Sequence, residues 1–169
     1  IMACKVLSLN CNGLRNRTKR KSIFTFCKRS KYDIVCLQES FIVEADVEQW
    51  TREWHGQLFF IPGTVHSKGQ LILIHNKFNI SNVNIEKCQD RILVISFTYK
   101  DQELAVMNVY APNDDGQKRI FFNDFEEIVK KYTENYKLIV AGDMNLVLSN
   151  ELDIIRGQPH DKTLVKKFH

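Results

Sequence analysis

A single domain of the α/β class is the fold this sequence predicts, and three observations predict it. The chain has 169 residues, 44% of them hydrophobic and only three prolines, enough apolar material for one substantial core. Apolar runs of strand length that do not alternate, as in strands covered on both faces, are interleaved with stretches whose apolar residues recur at helical spacing. In the middle of the chain several strand-like runs follow one another directly, which adds an antiparallel portion.

The first run, CKVLSLN at residues 4–10, stops at the polar NCNG and reads as a strand feeding a loop. Over residues 19–31, Ile23, Phe24, Phe26 and Cys27 lie among basic and small residues near helical spacing, with Thr18 as the expected N-cap. DIVCLQE, residues 33–39, is a buried strand that ends on Glu39. A second helix is expected over residues 44–54, then the aromatic strand QLFFIP at 57–62 and, past a Gly-containing connection, QLILIHN at 70–76. ISNVNIEK (80–87), ILVISFTY (92–99) and LAVMNVY (104–110) form the antiparallel series, with a tight turn at KDQE, residues 100–103. Ile120, Phe121, Phe125, Ile128 and Val129 predict a surface helix over residues 115–132, and KLIVAG at 137–142 is the strand after it. Beyond Asn145 the pattern weakens: residues 149–160 read as loop, and 161–169 as a helix opening at Asp161. There is no repeat, linker or low-complexity tract, so residues 1–169 are read as one unit.

The formal net charge of +4 conceals a local excess. RNRTKRK, residues 15–21, holds five basic residues in seven, with Lys28, Arg29 and Lys31 close behind. Such a patch suits a polyanion, with Arg15, Arg17, Lys19 and Arg20 as the candidate contacts, although an isolated patch is more often a solvated helix start. Five cysteines make an odd count without a CxxC pair, several inside apolar runs, and read as buried thiols in a reducing compartment. No apolar segment approaches the ~20 residues that span a bilayer. The N-terminus lacks a signal-peptide pattern, and the chain is expected to be intracellular, away from membranes. It begins Ile1-Met2, so its first residue is not an initiator methionine.

Four of the expected strands finish in polar groups: Asn10 with Asn12, Glu39, Tyr110, and Asp143 with Asn145. If neighbouring strand ends converge on one rim, these groups meet. Each alone has a plainer explanation: Asp and Asn start turns, a lone Glu is solvated, a Tyr caps a core. There is no Cys/His cluster, no GxSxG elbow and no GxxxxGK[ST] loop, which disfavours zinc, serine-hydrolase and P-loop chemistry. A carboxylate with carboxamide oxygens is a hard-oxygen set suited to Mg²⁺, an ion that keeps waters and leans on substrate phosphate. Phosphodiester hydrolysis follows from that set.

LSLNCNGLRN, DIVCLQES, SKGQLILI, VMNVYAPN and VAGDMN, in this order, resemble the exonuclease, endonuclease and phosphatase superfamily, and specifically the endonuclease domains of LINE-type non-LTR retrotransposons. The resemblance covers the chain to about Asn145. It implies a four-layered α/β/β/α sandwich, with two mixed sheets packed face to face and helices outside. Asn12 and Glu39 are then the metal-side residues for Mg²⁺ (or Mn²⁺), with Asn10 supporting. Tyr110 would bond to phosphate or transition state, Asp143 would orient or deprotonate water, and Asn145 would hold water or phosphate. Gly142 is expected to permit a tight strand exit, and side-chain alternation to put Asp143 and Asn145 on one side. The implied substrate is double-stranded DNA, nicked to expose a 3′-hydroxyl, with a reverse transcriptase in the same polyprotein and nuclear action on chromosomal DNA.

Relatives acting on abasic sites commonly carry Asp where this chain has Asn12, and Lys after QET where this chain reads QESF, which favours the retrotransposon branch. Phosphatase-type relatives share the metal logic, and a non-catalytic nucleic-acid-binding relic is the alternative outside enzymology. Met144 stands where the family usually shows Phe, a core-facing exchange. The family continues to a closing Ser-Asp-His motif, which does not occur here, so the chain is expected to lack the last strands and to be weakly active by itself. None of His55, His66, His75, His160 or His169 stands in an equivalent motif, and all read as surface or loop histidines.

Overall fold

The computed structural model describes residues 4–146. In chain order its elements are β1 (Val6–Asn10), α1 (Arg17–Arg29), β2 (Ile34–Gln38), α2 (Val47–Trp54), β3 (Gln57–Gly63), β4 (Lys68–Ile74), β5 (Ser81–Cys88), β6 (Ile92–Tyr99), β7 (Gln102–Tyr110), α3 (Asp115–Thr133) and β8 (Lys137–Asp143). One sheet runs β1-β2-β4-β3 and the other β5-β6-β7-β8. Both are mixed, with β1 parallel to β2 and β7 parallel to β8. The loop and helix expected after residue 146 lie outside the described residues.

The period-2 alternation of each strand divides its residues between two cores. On β2, Ile34 and Cys36 face the other sheet, whereas Val35 and Leu37 pack under α1 and α2. On β7, Leu104 and Val106 face the first sheet, whereas Ala105, Met107 and Val109 pack under α3. The result is the expected α/β/β/α sandwich. Trp50 and Trp54, four apart on α2, are both buried, and Trp54 Nε1 donates to the Ile74 carbonyl at 2.9 Å, which ties the helix layer to β4. Met144 packs into the core beneath α3.

Local chemistry sets the element ends. α1 is capped by Asn16, whose Oδ1 accepts from the Lys19 N–H at 3.0 Å, and Thr18 lies inside the first turn. Asp114 caps α3 in the same way. The hairpin at KDQE turns on Lys100 and Asp101, both at positive φ, as a two-residue type I′ loop demands. On α3, Phe122 takes the inward position and Ile120 is 59% exposed, so the expected apolar stripe is rotated by part of a turn.

Towards one end, the layer between the sheets turns polar. The next inward positions on β2, β4 and β7 are Gln38, Gln70 and Asn108, all buried. Asn108 Nδ2 donates to the carbonyls of Leu37 and Leu71, each at 3.0 Å, and its Oδ1 accepts from Gln38 Nε2 at 2.7 Å. One residue of the second sheet is thereby bonded to two strands of the first. Asn108→Ala would remove all three bonds in a site without water access. Chemical denaturation is expected to show a loss of roughly 3 kcal/mol or more. A loss under about 1 kcal/mol would mean that apolar packing alone holds the sheets together.

Candidate active site

Strand register assembles the site. Parallel pairing places Asn10 opposite Gln38, one residue before Glu39, and places Tyr110 opposite Asp143. The bonds of Asn108, two residues before Tyr110 on β7, bring those pairs to one rim. There Asn10 Nδ2 donates to Glu39 Oε1 at 2.9 Å and to Asp143 Oδ2 at 3.1 Å. The Tyr110 hydroxyl donates to the same Glu39 Oε1 at 2.7 Å. Four of the six residues proposed from strand ends form a single hydrogen-bonded group spanning both sheets.

The other two flank it. Asn12 is exposed at φ 43°, its N–H donates to Asn10 Oδ1 at 3.2 Å, and it lines the same cleft as Glu39 and Tyr110. Asn145 donates its N–H to Asp143 Oδ1 at 3.0 Å and its side-chain amide to the Ala111 carbonyl at 2.6 Å. β8 ends at Asp143, so the two residues are joined by an Asx-type turn and not by strand alternation, which corrects the expectation from the sequence. Gly142, at φ 144°, takes the backbone expected of a glycine at the strand exit, and a Cβ there would also sit 2.1 Å from the Val109 carbonyl oxygen, so it permits the close approach of β7 and β8 as well.

Asn12, Glu39, Phe41, Lys68 and Asn145, all non-glycine, take positive φ around this rim. Such backbone is sparsely populated and persists where surrounding bonds impose it. Gly13 N–H donates to the Glu39 carbonyl at 2.6 Å, Ser40 N–H to that of Gly69 at 2.9 Å and Phe41 N–H to that of Lys68 at 2.9 Å. These bonds carry the pairing past the end of β2 and fix Glu39.

Tyr110 is half-buried, and burial, followed by its bond to Glu39, pushes its pKa up to about 12, so it remains a phenol donor. The Arg91 guanidinium lies over its ring at 5.1 Å, and the Tyr110 N–H donates to the Arg91 carbonyl at 2.9 Å. Asp90 pairs with both Lys68 and Arg91. Lys68, Arg91 and His66 line the cleft of about 450 Å³ beside Glu39 and Tyr110. Sequence reasoning passed over Arg91 and Lys68 because each sits next to a turn, where cations are commonplace. His66 is exposed, as expected, yet belongs to the cleft; His160 and His169 lie outside the described residues.

The basic stretch divides by role. Arg20 is not a surface cation: it is 3% exposed, with a bidentate pairing to Glu53 at 2.7 and 3.1 Å and a bond to the Leu14 carbonyl. The Arg20 hydrogen bond to the carboxylate holds Glu53 below its ordinary range. Arg15 pairs with Asp46 at 2.6 Å, and Arg17 points outward, 3.6 Å from Glu53. Lys19 donates to the carbonyls of Cys11 at 2.7 Å and Asn12 at 2.9 Å, so it secures the loop that carries Asn12.

Among the described residues no group of three His, Cys, Asp or Glu converges to form an all-protein metal cage. The donor set is instead two carboxylates, Glu39 and Asp143, bridged by one amide, with the Asn12 carboxamide nearby. Both donors to Glu39 converge on Oε1, and among the described residues no donor reaches Oε2. Hard oxygens, few protein ligands and two adjacent like charges fit a Mg²⁺-sized ion that keeps its waters.

Comparison with known proteins places the chain in a family and agrees with the fold. The family described as Endonuclease/Exonuclease/phosphatase family matches residues 7–152. The chain is 27% identical over 148 residues to the transposon TX1 uncharacterized 149 kDa protein of Xenopus laevis, an alignment covering 87% of this chain and 11% of that protein. It is 28% identical over 162 residues to an exodeoxyribonuclease of Bacillus subtilis (strain 168), covering 89% of this chain and 61% of that one. The chain thus spans only part of the length of the curated relatives it matches. The crystal structure of D. rerio TDP2 complexed with single strand DNA product shares the fold, with a TM-score of 0.63 at 21% identity over 88% of this chain and 63% of that one.

The Lys19 clamp generates a test. Lys19→Met keeps the aliphatic stem but removes both bonds to the loop, and is expected to weaken Mn²⁺ binding about 10- to 100-fold, as loss of groups that orient metal ligands does. Thermal unfolding should barely change, and Lys19→Arg should restore part of the affinity. Unchanged Mn²⁺ affinity would show that the loop holds itself.

Proposed function

The chain belongs to the endonuclease/exonuclease/phosphatase family, and on that footing we propose that it is a divalent-metal-dependent DNA endonuclease of a non-LTR retrotransposon. In this reading it nicks duplex DNA, chromosomal and therefore nuclear, and exposes a 3′-hydroxyl from which a reverse transcriptase in the same polyprotein primes synthesis. Similarity to a transposon protein and to an exodeoxyribonuclease supports the nucleic-acid substrate over a soluble phosphate ester. The observation that carries the catalytic reading is the Asn10 amide bridging Glu39 and Asp143 across the two sheets.

Glu39 with Asn12 would hold the ion, which when bound supplies charge stabilisation to the phosphate and leaving oxygens. Asp143 has one oxygen on the Asn145 N–H and the other on the Asn10 amide, so its carboxylate plane is set before substrate arrives. Each oxygen retains acceptor capacity with which to align a water and take its proton. The Tyr110 phenol donates a hydrogen bond to Glu39 at rest and would donate to a phosphoryl oxygen when one enters. Lys68 and Arg91 add positive charge on the cleft wall for the flanking backbone.

Supercoiled plasmid incubated with the 169-residue chain and Mg²⁺ is expected to be nicked slowly, leaving ends that a DNA polymerase extends. Glu39→Gln should abolish nicking and Mn²⁺ binding together, because it keeps the shape and removes the charge. Asp143→Asn should cost about 10² to 10⁴ in rate while the ion still binds. Nicking that survives Glu39→Gln would remove the metal assignment, and hydrolysis of small phosphomonoesters without any nicking would move the chain to the phosphatase side of its family.

A further inference from the structure

Positive charge in this chain is concentrated in one helix. α1 carries six cations and no acidic residue in its 13 residues, whereas the whole chain is net +4, so everything outside α1 is net acidic. Lys19 and Arg20 are committed to the loop and to Glu53, and Lys28 donates to the Glu53 carbonyl at 3.2 Å. Lys21 and Arg29 have no such role: both are exposed, and among the described residues neither has an acidic partner. They stand about 12 Å apart along the helix axis, at two corners of a groove of about 520 Å³.

Between these two cations the groove is lined by the small side chains Thr18, Ser22 and Thr25 and by Phe26. Phe26 is 54% exposed, an unusual setting for a phenyl ring on a helix whose opposite face, Phe24 and Cys27, is fully buried. It tilts against Tyr32 with centroids 6.2 Å apart, and the Lys5 ammonium sits 4.8 Å over the Tyr32 ring. An exposed aromatic ring between unpaired cations, beside small side chains, is the combination that binds unpaired nucleotides.

We infer that the outer groove of α1 is a single-stranded nucleic-acid site, with Lys21 and Arg29 contacting phosphates and Phe26 stacking on a base. A duplex has no use for Phe26, since its base faces are already stacked, so the ring distinguishes single from double strands. At the 3.4 Å rise of a stacked strand, the spacing of the two cations spans about three to four nucleotides. The site shares no residue with the rim of Glu39 and Asp143 and does not depend on phosphodiester cleavage.

The test is fluorescence anisotropy with labelled oligothymidylate, oligouridylate and a blunt duplex of equal length, using the 169-residue chain carrying Glu39→Gln so that no strand is cut. Phe26→Ala should weaken binding of the single strands about five- to hundredfold and leave duplex binding within about twofold, while Phe26→Trp retains the affinity. Lys21→Gln with Arg29→Gln should weaken every probe and reduce the salt slope for single strands by about 1.4. Since Phe26 is exposed, its variants keep the fold, which circular dichroism verifies. Single-strand affinity unchanged by Phe26→Ala would overturn the proposal, leaving electrostatic attraction alone. So would a wild-type dimer dissociated by Phe26→Ala, which would make the face a contact between copies of this chain.

Discussion

Asn108, an asparagine with no solvent exposure, holds the two sheets of this protein against one another at the end where chemistry is possible. Its amide donates to carbonyls on β2 and β4, and its oxygen takes the Gln38 amide. Apolar packing between sheets tolerates sliding, because contacts of Ile, Leu and Val have no fixed direction. Hydrogen bonds do not tolerate it, since each lost partner leaves a buried polar group unsatisfied. Tyr110 and Glu39, one residue belonging to each sheet, stand just past Asn108 and Gln38 in the chain, so this directional contact bears on their relative height.

From that constraint the rim follows. Parallel pairing within each sheet carries Asn10 alongside β2 and Asp143 alongside Tyr110, and the Asn10 amide closes the group across the divide. Two carboxylates around one neutral donor repel each other without a counter-ion, and in the proposed reading a small hard cation would relieve that repulsion. The positive φ values of Glu39, Asn12 and Asn145 belong to the same account, as local strain opposed by hydrogen bonds on either side. The basic stretch after β1 has a double part: Lys19 and Arg20 build the loop and its support, while Arg17, Lys21 and Arg29 face outwards.

Strand and helix positions were legible because they rest on periodicity, which is local. The rim residues Asn10, Glu39, Tyr110 and Asp143 were legible for a related reason, that a core strand ending in a polar side chain stands out against its own apolar run. Asn108 and Gln38 were not, since a polar residue inside a strand looks like a flaw until the facing sheet shows its partner 70 residues away. Arg20 could not be told from Arg17 by inspection, because both reach Glu53 and only the fold buries one guanidinium against it and leaves the other largely in solvent. The Asx turn that starts at Asp143 does not show in the apolar pattern, because the Asp143 carboxylate ends β8 by accepting from the Asn145 N–H, a bond that alternation does not reveal.

A hydrogen bond between sheets, remote from any ligand, is expected to decide whether the rim can hold a cation. Replacing both partners, Gln38→Leu with Asn108→Leu, exchanges a polar contact for an apolar one of similar size, which buried pairs often survive. A Mn²⁺ titration followed by electron paramagnetic resonance, on this double variant and the wild-type chain, is the direct measurement. The variant is expected to unfold cooperatively yet to bind Mn²⁺ at least about tenfold more weakly, as when groups that orient metal ligands are lost. Equal affinity in the two proteins would contradict it, because the rim would then owe its geometry to the strand ends alone.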